Sequence, residues 1–152
     1  MTPEAKLKAL GLTLPVLPKP VANYVPWKRA GDMLYLSGQG PRQPDGGYPK
    51  GKVGKDITVE QAYQHARTTG LGLLAAAKDA VGDLSKLEVI KVLGMVNAAP
   101  DFADQPKVIN GCSDLFVEVL GERGRHARSA VGMGSLPNNM TVEIEAILRV
   151  HP

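Results

Sequence analysis

At 152 residues, 43% hydrophobic and 22% charged, the chain has the balance of an ordinary globular protein, and one continuous core, hence a single domain over 1–152, is expected. A net charge of +3 is too small and too scattered for a nucleic-acid surface, and 5% aromatics is too few for a base-stacking platform. One cysteine excludes an internal disulfide and a cysteine-based metal site, and no apolar run approaches the roughly 18 residues of a membrane span.

The first stretch, MTPEAKLKALGLTLP, lacks the apolar core and small-residue cleavage site of a signal peptide, so a cytoplasmic protein is expected. A short helix is expected from about Pro3 to Leu10, ended by Gly11. Pro15, Pro18 and Pro20 then punctuate an extended surface arm that completes residues 1–23. Tyr24–Lys28 reads as an edge strand and Met33–Ser37 as its hairpin partner across Gly31-Asp32, closed by Ser37-Gly38-Gln39-Gly40. Residues 41–56 form a long loop rich in Gly, Pro and Lys. Gly51 and Gly54 resemble a phosphate loop only loosely, because the Lys-Ser/Thr pair is missing.

Thr58-Val59-Glu60-Gln61 is a capping box, and apolar positions 59, 62, 63, 66, 73, 74, 77, 80 and 81 make one stripe of a helix ending at Gly82-Asp83. Gly70 and Gly72 weaken its middle and fit a close packing contact. Leu87–Asn97 is β-branched and long enough for a central strand, with Gly94 at a bulge. A second long helix is expected from about Asp104 to Leu120, its stripe formed by Val108, Ile109, Cys112, Leu115, Phe116 and Val119, with Gly121 at its stop. Ser129–Met133 and Met140–Val150 close the chain, and the Leu136-Pro137-Asn138-Asn139 turn predicts that they pair as a hairpin.

The resulting order, β-β-α-β-α-β-β, predicts a two-layer α+β domain with both long helices on one face of a mixed sheet. From Met140 onward the even positions of the last strand are all apolar and face the helices. Its odd positions, including Glu143, Glu145 and Ile147, are left bare, and association between copies is the natural remedy.

Arg128 offers a planar fork for a carboxylate; its alternative is a structural ion pair with Glu143 or Glu145. Glu143 can serve as a general acid/base or hold a water, its alternative being an interface ion pair. Ser37 is ordinary strand-end polarity when taken alone, and Tyr24 an ordinary packed aromatic. Asn110, mid-helix beside Gly111, points to a specific hydrogen bond. Cys112 belongs to the core, His126 reads as a solvated loop histidine with a group titrating near the site as its alternative, and His65 receives no role. The three histidines have no metal-ligand spacing, so no metal and no cofactor are expected.

Together these residues resemble the Rid family, also called YjgF and endoribonuclease L-PSP, over nearly the whole of Tyr24 to Val150. The most specific piece is Ala127-Arg128-Ser129-Ala130-Val131, followed by Leu136-Pro137 and Val142-Glu143-Ile144-Glu145-Ala146. Tyr24, Ser37-Gly38-Gln39 and Asn110 stand at similar places. The resemblance implies a chorismate-mutase-like fold assembled as a homotrimer around an inner barrel, with clefts between subunits. It implies that Arg128 grips a substrate carboxylate, that Glu143 positions a hydrolytic water, and that Tyr24, Ser37, Asn110 and Ala130 line the cleft. The activity implied is hydrolysis of enamine and imine intermediates, such as 2-aminoacrylate, to 2-keto acids and ammonia. Ala130 stands where many deaminase members carry a cysteine, and the arm and the 41–56 loop are longer than in compact members, which marks a divergent subgroup. A non-catalytic sensor of a small carboxylated metabolite is the alternative, and a ribonuclease fits the composition less well.

Overall fold

The computed structural model describes residues 1–19 and 22–152. In chain order the elements are α1 (Pro3–Ala9), β1 (Trp27–Ala30), β2 (Met33–Gln39), α2 (Val59–Val81), β3 (Leu87–Asn97), α3 (Gln105–Leu120), β4 (Ala127–Met133) and β5 (Val142–Val150). Short 3-10 turns lie at Leu84–Lys86, Gly121–Gly124 and Pro137–Asn139. Local chemistry sets several of these boundaries. The Thr2 hydroxyl accepts the Ala5 N–H at the start of α1. The capping box of α2 is complete: Gln61 N donates to Thr58 Oγ1 (3.1 Å), and Thr58 N donates to Gln61 Oε1 (2.9 Å). That helix stops at Gly82, whose φ of 77° lies in the left-handed region.

One five-stranded sheet has the order β1-β2-β5-β3-β4. All neighbours are antiparallel except β3 and β4, which run parallel. The expected hairpin between the last two strands does not form, because β3 lies between them. The chain β3–α3–β4 is a strand–helix–strand crossover, which returns the second strand parallel to the first. Residues 134–141 then carry the chain past the end of β3, with Asn138 and Asn139 at φ 57° and 54°. Two smaller expectations are also corrected. The first strand begins at Trp27 rather than Tyr24. The irregularity in β3 falls between Val89 and Lys91 rather than at Gly94.

Val142, Ile144, Ala146, Leu148 and Val150 are buried beneath the helices, as the alternation predicted. α2 packs on β2 and β5, α3 on β3 and β4, and the two helices on each other. Two glycines make these approaches possible. A Cβ on Gly94 would lie 2.7 Å from Ile109 Cδ1, and one on Gly111 would overlap the Tyr63 carbonyl. The arm also contributes to the core: Leu7 is buried, and Leu12, Leu14 and Leu17 pack against it. Pro20, part of the expected arm, lies outside the described residues. The 41–56 loop is anchored by Val53, which is fully buried and bridged to Ala98. The other sheet face carries Tyr35, Leu93, Met95, Val131 and Ile147 beside Glu143 and Glu145, with Tyr35 45% and Val131 38% exposed.

Candidate active site

Arg128 is the second residue of β4 and lies opposite Val92, which lies opposite Ala146 of β5. Val92 and Ala146 are buried on the helix face. Residues paired across a ladder share a face, so the Arg128 side chain leaves on that side. There it reaches α3: Nη1 donates to Asn110 Oδ1 (2.9 Å) and to Ser113 Oγ (3.1 Å), and Nη2 lies 3.5 Å from the Pro106 carbonyl oxygen. The specific hydrogen bond expected of Asn110 is therefore made, and to the arginine. Among the described residues no carboxylate forms an ion pair with Arg128.

Glu143 is paired with Met95 of β3 and stands on the opposite sheet face. It is half-buried, and burial, followed by the neighbouring Glu145 charge, pushes its carboxyl above the usual range. Neither Glu143 nor Glu145 forms an ion pair among the described residues. The alternative reading, an ion pair between Arg128 and Glu143 or Glu145, is thus not met. From Arg128 to Glu143 is two strand spacings across the sheet, roughly 10 Å, and three residues along it, roughly another 10 Å. A small substrate cannot touch both within one chain, because the sheet stands between them.

The other expected residues divide between these two places. Asn110 and Ala130 belong with Arg128, since Ala130 follows it by two on the same face of β4 and packs against the core. Ser37 and Gly38 belong with Glu143: a Cβ on Gly38 would lie 2.7 Å from Glu143 Oε2, so no side chain fits between this backbone and the carboxylate. The Ser37 hydroxyl donates to the Val25 carbonyl (2.5 Å) and its N–H to that of Pro26 (3.0 Å), which fixes the segment just after Tyr24. Tyr24 itself is 55% exposed rather than packed. Cys112 is a core residue, and burial pushes its thiol up.

Two further residues stand beside Arg128: Ser113, which received no reading from the sequence, and His126, for which the solvated loop was the preferred one. Ser113 is a polar position of α3 one turn beyond Asn110, and that spacing was the available signal. His126, read as a solvated loop residue, is half-buried. Its Nε2 lies 2.9 Å from Ser113 Oγ, its Nδ1 lies 2.6 Å from the Gly124 carbonyl oxygen, and its ring stands edge-on to Phe116 at 5.9 Å. Burial, and more weakly the Arg128 charge, lower its pKa against the opposing effect of the Gly124 carbonyl. His65 is likewise half-buried, with Nδ1 2.9 Å from the buried Thr141 hydroxyl. Among the described residues no group of three His, Cys, Asp or Glu side chains is arranged to hold a metal, and no helix is long and apolar enough to cross a membrane.

Comparison with known proteins agrees with the fold and the resemblance. Residues 4–147 match the family model described as "YjgF/chorismate mutase-like, putative endoribonuclease". Protein TCP17 of Trypanosoma cruzi is 39% identical over 149 residues, covering 97% of this chain and 93% of that protein. A RutC family protein of Pyrococcus horikoshii is 33% identical over 131 residues, covering 86% and 89%. Among solved structures, a protein of unknown function from Agrobacterium tumefaciens superposes with a TM-score of 0.90 at 47% identity, over 99% of this chain and 93% of that one. RidA from an Antarctic Psychrobacter species superposes with a TM-score of 0.61 at 29% identity, over 88% and 94%. With a family model matched over residues 4–147 and relatives and solved structures alike over nearly the whole chain, the chain belongs to the YjgF (Rid) family.

Proposed function

We propose that the protein is a homotrimer that hydrolyses enamine and imine acids of the 2-aminoacrylate type to 2-keto acids and ammonia, without a cofactor, in clefts between copies. The observation that carries this reading is the separation of two opposite charges, neither in an ion pair among the described residues, onto opposite faces of one sheet. Each is half of a site, and a second copy laid on the open face supplies the other half. Covering that face also buries the apolar patch around Tyr35, Leu93, Ile147 and Val131.

In this reading both Nη1 protons of Arg128 are committed to α3, which leaves the side-on fork, Nε–H and the free Nη2–H, for the substrate carboxylate. An imine carbon is already electrophilic, so a placed water suffices as nucleophile. Glu143 holds that water. Its raised pKa brings it nearer to neutrality, where a general base works best. The water oxygen bonds to the imine carbon, Glu143 takes a water proton, and the imine nitrogen is protonated. Collapse of the carbinolamine breaks the carbon–nitrogen bond and releases ammonia and the keto acid. Tyr24, Ser37, Asn110 and Ala130 line the cleft.

Imino acids generated in situ by an amino-acid oxidase provide the test, with keto-acid release followed and the trimer checked by light scattering. Acceleration by the wild type that is lost in Arg128→Ala is the expected result. An intact trimer that accelerates no imino acid overturns the deaminase; the carboxylate-sensor reading takes its place if a keto acid still binds, and RNA cleavage is then assayed.

A further inference from the structure

Arg128 is not held by α3 alone. We infer that His126 and Ser113 form a polarised relay that sets the orientation of the Arg128 guanidinium, and that both are positioning residues for substrate carboxylate binding. The inference rests on the deaminase reading for its functional consequence, but its geometry stands without it.

The direction of each hydrogen bond follows from what each group can do. A carbonyl oxygen only accepts, so the 2.6 Å contact between His126 Nδ1 and Gly124 puts the ring proton on Nδ1. In the neutral ring Nε2 is then a bare acceptor, and the Ser113 hydroxyl 2.9 Å away donates to it. With its proton spent on His126, the Ser113 oxygen presents its lone pairs to Arg128 Nη1 at 3.1 Å. Asn110 Oδ1 takes the second Nη1 proton at 2.9 Å. The chain thus runs one way, from Arg128 to Ser113 to His126 to the Gly124 carbonyl, and every donor in it meets an acceptor.

The fold holds both ends of the relay. Gly124 is buried, and a Cβ there would come within 2.5 Å of the Phe116 carbonyl carbon, so only glycine lets the 3-10 turn close against α3. Phe116 lies against the imidazole ring on the same side. Ser113 and Asn110 are three residues apart on α3 and present their oxygens as neighbours to one guanidinium nitrogen. A bidentate carboxylate needs that guanidinium in one plane, and a side chain with five donors and four rotatable bonds does not hold a plane without fixed acceptors.

Two measurements test the relay. In the first, KM and kcat for an imino acid, and calorimetric affinity for 2-ketobutyrate, are compared among wild type, Ser113→Ala, Ser113→Thr and His126→Phe. The expected result for Ser113→Ala is a rise of about 5- to 20-fold in KM and in the 2-ketobutyrate Kd, with kcat changed less than about twofold. Ser113→Thr restores both, and His126→Phe, which keeps the ring packing but not the acceptor, gives a smaller rise. A wild-type KM in both Ser113→Ala and His126→Phe overturns the inference, and an equal fall in kcat with unchanged KM overturns it as well. The second measurement is nitrogen NMR of His126 and of the Arg128 side chain in the unliganded protein, which reads the relay whether or not turnover is found. The Nδ1–H tautomer, kept in Ser113→Ala because Gly124 sets it, together with slowed Arg128 Nη1 rotation that becomes faster in Ser113→Ala, supports it. A freely rotating Arg128 or an Nε2–H tautomer in the wild type overturns it even if the deaminase reading stands.

Discussion

At Gly111 α3 lies directly against the backbone of α2, and this bears on the site because α3 carries Asn110 and Ser113. An alanine Cβ there would overlap the Tyr63 carbonyl oxygen and lie 2.9 Å from its carbon and 3.1 Å from Arg67 N. These are backbone atoms, so no rotamer change relieves the overlap, and α3 must withdraw by roughly 1 Å to regain ordinary contact distance. Alanine gains about 1 kcal/mol over glycine within a helix. Overpacking of this kind costs about 1–3 kcal/mol, and with a rigid partner the upper end applies. The net expectation for Gly111→Ala is therefore a loss of about 1–2 kcal/mol, or about 2–8 °C in Tm for a chain of this size. Gly134→Ala is the control, because nothing lies within 4 Å of its Cβ and its φ is not positive. It should be neutral or slightly stabilising. Urea and thermal unfolding at one fixed protein concentration provide the assay. Equal Tm values for the two variants, or a more stable Gly111→Ala, would refute the close-packing argument.

Three further outcomes are expected. Leu7 is 4% exposed, so Leu7→Ala should cost about 2–3 kcal/mol and lower Tm by about 4–12 °C, which melting curves check; an unchanged Tm would mean that the arm is not part of the core. Glu143 has its folded-state pKa raised above the ordinary 4.5, so the folded protein binds that proton more tightly than the unfolded chain. The native state therefore gains stability as pH falls from above the raised value toward 4.5, and Glu143→Gln should raise Tm at pH 7 and flatten that part of the Tm–pH curve; a lower Tm at pH 7 would contradict the sign. Cys112 is fully buried with its thiol pushed up, so a thiol reagent should label the protein only at the rate at which it unfolds, and rapid labelling under native conditions would contradict its placement.

What the sequence disclosed and what it hid divide along a physical line. Periodicity and capping act within a few residues, which is why the Thr58 box, the β5 alternation and the glycine stops of α2 and α3 were legible and agree with the structure. Strand order depends on which non-local pairing wins. The two asparagines after Pro137 have the positive φ values of a tight hairpin turn, yet β4 had already been committed beside β3 by the α3 crossover. That strand–helix–strand pattern was the signal that should have outweighed the turn. The same error misplaced the site: pairing β4 with β5 put Arg128 beside the glutamates, whereas the β3 register puts them on opposite faces. Ser113 stayed hidden, and His126 was taken for a loop residue ahead of a site residue, because they meet only after the Gly121–Gly124 turn folds back on α3, and neither lies on an apolar stripe.

The central claim is that one working site draws Arg128 from one copy and Glu143 from another. Two homotrimers, Arg128→Ala and Glu143→Gln, should each be inactive toward in situ imino acids. Mixed, unfolded and reassembled at equal amounts, they form a wild-type site wherever a copy retaining Arg128 meets a neighbour retaining Glu143, which random association gives at about a quarter of sites. Recovery of about a quarter of wild-type activity is the predicted result. No recovery from mixed trimers that form in good yield would place both residues of a site in one chain and contradict the account.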